Sequence, residues 1–154
     1  MKTPAVEIRG LKKSFEDVQA LDGIDLTINQ GQFFGLLGPN GAGKTTIINI
    51  LTGLVIRQEG STKIFGQDTI KDYRFTRAKI GIAAQELSID WFFPIEKLLM
   101  FHAGYYGISK ILAQERVADI IDRLGLKEKR NTRLRQLSGG MKRRYQLAKA
   151  LVHD

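Results

Sequence analysis

Polar and apolar residues alternate along two stretches near the start of the chain, residues 5–8 and residues 24–28. This alternation predicts two strands, each with one face on a core and the other in water, as in antiparallel sheets. The polar residues 12–17 lie between them and predict a loop that carries one aromatic residue, Phe15.

Three further stretches of the first half predict strands. Residues 33–37 are apolar except for one glycine, which is typical of a strand buried on both faces. Residues 60–65 precede a Gly-Gln-Asp turn, and residues 80–82 read Ile-Gly-Ile. We predict a short strand at each of these two places.

The second half of the chain is predicted to be helical. Ser109 and Ser138 are placed to cap the N-termini of two helices, and Gly107 and Gly125 are placed to end two. Three apolar faces are predicted, formed by Ile95, Leu98, Leu99, His102 and Tyr106, by Ile111, Leu112, Ile120, Ile121 and Leu124, and by Met141, Tyr145, Ala148 and Leu151.

Residues 38–46, which we call the phosphate loop, match the pattern G-x-x-x-x-G-K-S/T. They are Gly38, Pro39, Asn40, Gly41, Ala42, Gly43, Lys44, Thr45 and Thr46. A predicted strand precedes the loop, and Ile47, Ile48 and Leu51 follow it at helical spacing, with Gly53 placed to end the helix. This order of strand, loop and helix is what the pattern requires in a phosphate-binding site.

The residue types of the phosphate loop predict the chemistry. Glycines allow backbone N–H groups to turn inward around a phosphate, and a helix N-terminus adds partial positive charge. Lys44 is expected on the β- and γ-phosphates, and the hydroxyl group of Thr45 is the expected Mg²⁺ ligand. The sequence therefore predicts binding of a nucleoside triphosphate.

Composition and charge narrow the possible partners. The chain has 154 residues, 43% of them hydrophobic, and its 24 Lys+Arg against 16 Asp+Glu give a net charge of +8. This excess permits nucleic acid or an anionic membrane as a partner. A bound polyphosphate and a solvated basic surface explain it more simply, so we expect no nucleic acid.

Cysteine content and hydropathy bear on the compartment. The absence of cysteine excludes disulfides and thiolate metal sites and permits a reducing compartment. No apolar run reaches the roughly 18 residues of a membrane span, and the N-terminus lacks a signal-peptide core. We expect a soluble chain that reaches a membrane only through a partner.

A second possible anion site lies far from the phosphate loop in sequence. Ser138, Gly139 and Gly140 come just before a predicted amphipathic helix and after a basic stretch, residues 127–135. A hydroxyl group and two glycines at a helix N-terminus form a phosphate-sized site.

Three features taken in order resemble an ABC-type ATPase domain over the whole chain: the phosphate loop, Gln85 at the end of a predicted strand, and the run Leu-Ser-Gly-Gly-Met at residues 137–141. Residues 104–107 and 137–144 look most like the ATPase subunits of ABC-2 type exporters. The resemblance implies an α/β phosphate-loop NTPase core, with a strand-rich layer plus parallel RecA-like strands, and a small helical subdomain. It places the nucleotide-binding core at residues 1–86 and the helical subdomain at residues 87–154.

The resemblance also implies residue roles and partners. Phe15 matches the aromatic residue that stacks on adenine, and residues 40–46 match the phosphate cradle. Gln85 matches the glutamine that reaches Mg²⁺ and the attacking water, so Lys44 and Gln85 are the catalytic candidates and Thr45 and Gln85 the metal ligands. Ser138, Gly139 and Gly140 match the segment that binds the γ-phosphate held by the opposing subunit. The implied assembly is an ATP-dependent homodimer or heterodimer of ATPase domains, bound to a separate permease at the cytoplasmic face of the membrane.

Two departures from the family pattern affect these expectations. Ala84 stands where family members usually carry proline, which is expected to loosen the loop without removing Gln85. The family continues beyond the position of Asp154 with a strand that ends in Asp-Glu (Walker B) and with a later switch histidine, a place that neither His102 nor His153 occupies. We therefore expect the chain to match the first portion of an ABC ATPase, truncated before the Walker B strand and near-inactive by itself.

Other functions remain open. A GTPase would carry an Asn-Lys-x-Asp run, which the sequence lacks, and Asp-x-x-Gly at residues 122–125 lies in a predicted helix. A soluble ABC protein acting on ribosomes or DNA would show tandem cassettes or a coiled-coil insertion. A non-catalytic nucleotide-binding fragment is a third alternative. ATP-driven transport, and export in particular, is the favoured interpretation.

Overall fold

The structure of the protein, a computed structural model, describes residues 2–84 and 92–153. The chain divides into two compact units, Met1–Lys79 and Ile80–Asp154. Each unit has a hydrophobic core of its own. The domain boundary predicted after residue 86 lies outside the described residues and stays a prediction.

The first unit combines an antiparallel sheet with two helices. Its core contains Ile8, Leu11 and Leu21 from the sheet and Ile47 and Ile50 from the first helix, each at most 5% exposed. The strands lie in the order β2-β1-β3-β4. Along the chain the elements are β1 (Val6–Phe15), β2 (Val18–Ile28), α1 (Lys44–Leu51), β3 (Glu59–Ile64), β4 (Gln67–Asp68) and α2 (Tyr73–Ala78).

The hairpin of β1 and β2 is longer than the sequence predicts. The two strands pair from Val6 opposite Ile28 to Phe15 opposite Val18. The prediction of a loop at residues 12–17 is therefore wrong for residues 12–15, and the turn is confined to residues 16 and 17. Polar side chains next to the turn of a hairpin do not prevent strand formation, because the backbone groups bond across to the neighbouring strand.

The strand predicted at residues 33–37 is wrong. Residues 32–39 have no regular secondary structure, and the side chains of Phe33 and Leu37 are 101% and 92% exposed. Leu36 packs against the core of the first unit. A strand needs a neighbour for its N–H and C=O groups, and none of the strands in the described ranges pairs with this segment.

The second unit is helical in its described part. Its helices are α3 (Ile95–Tyr105), α4 (Lys110–Arg123) and α5 (Gly139–Leu151), with short 3₁₀ turns at Lys127–Lys129 and Leu134–Gln136. Gly107 and Gly125 follow α3 and α4 with φ of 72° and 62°, the left-handed conformation that ends a helix. The predicted caps are confirmed, because the hydroxyl oxygens of Ser109 and Ser138 accept hydrogen bonds from backbone N–H groups at 3.4 Å and 3.3 Å.

Three predicted core residues of these helices are exposed instead: Ile111 at 74%, Leu112 at 41% and Leu151 at 49%. The buried stripe of α4 is formed by Ala113, Val117, Ile120 and Ile121. At about 100° per residue, Ile111 points away from that stripe. Val152, which follows the last residue of α5, takes the core position expected for Leu151.

The strand predicted at residues 80–82 is also wrong. This segment lies against α5 instead, because a Cβ atom added at Gly81 would collide with the backbone carbonyl of Ala150. Gln146 of the same helix donates a hydrogen bond to the carbonyl oxygen of Ala84. Both contacts lie within the second unit.

Candidate functional site

The phosphate loop enters α1 through a glycine in the left-handed conformation. Gly43 is the N-cap of α1, with φ of 78° and ψ of 0°. A Cβ atom at this position would lie 2.6 Å from Cδ2 of Leu21 and 2.7 Å from the carbonyl oxygen of Ala20. Two independent reasons therefore require glycine at position 43: the left-handed backbone conformation and the close contact with β2.

Lys44 folds back over the loop that precedes it. Its ammonium group donates hydrogen bonds to the carbonyl oxygens of Gly38, at 2.6 Å, and Pro39. No carboxylate pairs with Lys44 among the residues that the structure describes. The loop thus holds a half-buried cation whose charge is not neutralised by an acidic side chain.

The N-terminus of α1 is prepared for an anion. No acidic residue lies in the first turn, and no side chain caps the helix. In the described ranges, the backbone N–H groups of Gly43, Lys44 and Thr45 have no hydrogen-bond acceptor. Unpaired N–H groups and the helix dipole favour negative charge at this end. Because Thr45 is exposed, its hydroxyl group is accessible to a metal ion held beside a phosphate.

Phe15 lies at the end of the hairpin in the same unit. Its ring is 45% exposed and its neighbour across the hairpin is Val18. The ammonium group of Lys13 lies 5.1 Å from the ring centroid. The ring is accessible for stacking, and its predicted contact with adenine stays a prediction.

Ser138, Gly139 and Gly140 lie in the second unit, at the start of α5. All three are exposed, and a Cβ atom at either glycine would meet nothing within 4 Å. The hydroxyl oxygen of Ser138 accepts a hydrogen bond from the N–H group of Met141, and α5 has no acidic residue in its first turn. This N-terminus therefore carries the features expected of an anion site.

Gln85, the predicted ligand of Mg²⁺ and water, lies outside the described residues. Its preceding residue is described: the carbonyl oxygen of Ala84 accepts a hydrogen bond of 2.6 Å from Nε2 of Gln146. Sequence reasoning missed Gln146, which is 6% exposed. A glutamine next to the apolar face of an amphipathic helix looks like a surface residue, and only the three-dimensional contact distinguishes it.

The described residues contain neither a cluster of acidic, histidine or cysteine metal ligands nor a membrane-spanning helix. No group of three or more His, Cys, Asp or Glu side chains there could hold a metal ion. The donor set at the phosphate loop is instead one hydroxyl group, which suits Mg²⁺ shared with phosphate oxygens. None of the described helices is both long and apolar enough to cross a bilayer.

Comparisons with known proteins place these features in a family context. The family model described as ABC transporter matches residues 21–154. The Nod factor export ATP-binding protein I of Rhizobium sp. (strain N33) is 36% identical over 154 residues, 100% of this chain and 51% of that protein. The protein of the same name from Paraburkholderia xenovorans (strain LB400) gives the same identity and coverage. The chain spans about half the length of the curated relatives it matches.

Solved structures share the fold. An ATP-binding subunit of an ABC transporter superposes with a TM-score of 0.84 at 21% identity, covering 97% of this chain and 62% of that chain. The cbiO1 protein from Clostridium perfringens, described as part of the ABC transporter complex cbiONQ, gives a TM-score of 0.85 at 24% identity. That match covers 99% of this chain and 62% of cbiO1. The predicted α/β phosphate-loop NTPase fold is confirmed, although the sheet of the described residues is antiparallel.

Proposed function

Because the chain belongs to the ABC transporter family, we propose that it is part of an exporter's ATP-binding subunit, which uses Mg-ATP to power a separate membrane permease. One observation carries the proposal: Lys44, unpaired with any described carboxylate, lies across a loop whose following helix presents N–H groups without acceptors. A triphosphate would supply the negative charge and the acceptors that this site lacks.

Each predicted residue has a role in this proposal. The N–H groups of residues 40–46 and the ammonium group of Lys44 bind the β- and γ-phosphates. Thr45 and Gln85 hold Mg²⁺, and Gln85 orients the attacking water. Phe15 stacks on the adenine. The bound nucleotide supplies the free energy for transport, and these residues position the nucleotide.

Dimerisation would complete the site. Ser138, Gly139 and Gly140 would bind the γ-phosphate held by the phosphate loop of a second ATPase domain. Their exposure and the absence of acidic residues in the first turn of α5 support this role. A polypeptide of these 154 residues, prepared by itself, is proposed to bind ATP with negligible turnover, because the Asp-Glu pair with which family members complete the Mg²⁺ site and polarise the attacking water is not among these residues.

Exposed aromatic residues support a permease-binding surface. Phe92 and Phe93 are 66% and 40% exposed, and the guanidinium group of Arg135 lies 5.6 Å from the ring centroid of Phe92. Trp91, which precedes Phe92 in the sequence, lies outside the described residues. We propose that the permease covers Phe92 and Phe93 and thereby places the subunit at the membrane.

Isothermal titration calorimetry with Mg-ATP tests the proposed function. We expect saturable binding by the wild type and a loss of at least about tenfold in affinity for Lys44→Met, since a hydrogen bond to a charged group contributes about 1.5–3 kcal/mol. Lys71→Met is the matched control, because it removes the same charge from an exposed position of the same unit. Absence of binding by the wild type, or equal affinities of the two variants, would contradict the proposal.

A further inference from the structure

Gln146 is a buried polar residue with both ends of its side-chain amide engaged. Its Nε2 atom donates to the carbonyl oxygen of Ala84 at 2.6 Å, and its Oε1 atom accepts from Nη1 of Arg143 at 3.1 Å. The residue is 6% exposed. A buried amide that lost these partners would be unsatisfied, so the arrangement favours one position of the segment next to it.

A second contact fixes the direction of that segment. The backbone at Gly81 lies so close to Ala150 that a Cβ atom would collide with the Ala150 carbonyl group. From Gly81 to Ala84 the chain therefore passes from Ala150 to Gln146, one helical turn nearer to the N-terminus of α5. The segment runs towards the end of the helix that carries Ser138.

Helix α5 consequently has two buried faces. Tyr145, Ala148 and Val152 pack into the core of the second unit. Gln146 and Ala150 lie on roughly the opposite side and contact residues 81–84. A rigid helix that contacts the core and this segment transmits displacement between them more directly than a loop would.

We propose that Gln146 is a positioning residue, which holds residues 81–84, the segment just before Gln85, against α5, the helix capped by Ser138. Displacement of the N-terminus of α5 then displaces Ala84, the residue that precedes Gln85 in the sequence. This inference rests on the proposed function for its significance, since it links the segment that binds the γ-phosphate of the opposing subunit to the residue that orients water. The contact itself can be tested without nucleotide.

Spin labelling tests the contact directly, because the sequence contains no cysteine. A nitroxide attached to Ala83→Cys, an exposed position, reports the mobility of the segment by electron paramagnetic resonance. Gln146→Glu removes the donor to Ala84 while keeping an acceptor for Arg143, and Gln146→Met removes both polar atoms at similar length. Both variants lose the hydrogen bond to the carbonyl oxygen of Ala84. We therefore expect the ratio of mobile to immobile label to rise about 2- to 10-fold in each.

Arg143→Gln is the matched control. This substitution removes the hydrogen bond from Arg143 to Gln146 and leaves the hydrogen bond from Gln146 to Ala84 in place. The ratio of mobile to immobile label should therefore stay within about twofold of the wild-type value. Melting temperatures recorded on the same samples separate local release from unfolding. Identical spectra in the wild-type background and in folded Gln146 variants would overturn the proposal.

A distance measurement keeps the test independent of those variants. Nitroxide labels are attached to Ala83→Cys and Leu147→Cys in a chain that keeps Gln146. Pulsed electron paramagnetic resonance should then give a narrow distribution of the distance between the two labels. A broad distribution would overturn the proposal even if neither Gln146 variant folds. Calorimetry with Mg-ATP on the wild type separates the two hypotheses. A narrow distance distribution without ATP binding contradicts the proposed function but not the positioning role of Gln146. ATP binding with a broad distance distribution contradicts the positioning role but not the proposed function.

Discussion

The ammonium nitrogen of Lys44 lies 2.6 Å from the carbonyl oxygen of Gly38, six residues earlier in the same loop. The cation is therefore held over the loop before any phosphate arrives, and binding exchanges neutral carbonyl acceptors for charged oxygens. The ammonium group is charged in both cases, but an anionic phosphate oxygen adds direct charge–charge attraction that a neutral carbonyl oxygen lacks, which favours this exchange.

This geometry predicts that the contribution of Lys44 to nucleotide affinity depends on the number of phosphates that the nucleotide carries. Lys44→Met should weaken ATP binding about 10- to 100-fold and AMP binding less than about 2-fold, because only the outer phosphates reach the ammonium group. Titrations of ATP, ADP and AMP against wild type and variant measure this. Equal losses for ATP and AMP would mean that Lys44 acts on loop structure instead.

Phe15 offers a test of base recognition. If its ring stacks on adenine, Phe15→Ala should weaken ATP binding by ~1–3 kcal/mol, or roughly 5- to 150-fold. Inorganic tripolyphosphate has no base, so its affinity should be unchanged. Competition calorimetry with the two ligands gives both numbers.

Val18 supplies the control for Phe15. It lies opposite Phe15 across the hairpin and is 68% exposed. Val18→Ala also removes apolar surface from the hairpin end but leaves the ring. Similar losses of ATP affinity in both variants would assign the effect to hairpin structure rather than to stacking.

Gly43 and Gly41 form a matched pair for stability. Both have positive φ, 78° and 84°, but a Cβ atom meets Leu21 and Ala20 at Gly43 and nothing within 4 Å at Gly41. Gly41→Ala should cost only the left-handed strain of about 1–2 kcal/mol. Gly43→Ala adds overpacking of about 1–3 kcal/mol. Urea unfolding of both variants checks the order, and equal destabilisation would show that the contact with β2 relaxes freely.

His102 predicts a pH dependence of the second unit. Burial, with smaller contributions from the charges of Lys149 and His153, lowers the pKa of His102 from 6.5 to about 4. The unfolded chain therefore binds a proton more readily between these values, so the free energy of unfolding falls as pH is lowered from 6.5 towards 4 and is retained above 6.5. Allowing for solvent screening of a half-buried group, we expect a loss of about 1–2 kcal/mol.

His102→Phe isolates this contribution. The variant keeps an aromatic ring against Tyr105 and Tyr106, which His102 contacts edge-on, and removes the titrating group. Urea unfolding at pH 7 and pH 5 should show a smaller pH effect in the variant than in the wild type. An unchanged difference would assign the pH dependence to other titratable groups.

Local patterns in the sequence were sufficient for α1, α3, α4 and α5 and for the phosphate loop, whereas α2 was not predicted. Glycines with positive φ end α3 and α4, and serine caps open α4 and α5, because these signals act within one turn of the chain. The left-handed conformation of Gly43 follows from the same local logic, whereas its close contact with β2 does not. These parts of the fold were predictable from neighbours in sequence.

Elements that depend on distant neighbours were not predictable in the same way. Residues 33–37 are apolar enough for a strand, yet strand formation requires a neighbouring strand that the pattern does not specify. Residues 80–82 fail for a related reason, since Gly81 and Ala84 contact α5. The burial of Gln146 is likewise a property of that contact rather than of its own sequence context.

The exposed side chains of Phe33 and Leu37 have a practical consequence for handling this chain in solution. Apolar surface of this kind favours self-association, while the net charge of +8 repels neighbouring molecules. Salt screens the repulsion, and sulfate or phosphate also strengthens apolar contacts. Buffers of low ionic strength without these anions therefore keep the molecules apart and leave the phosphate loop uncontested for its nucleotide.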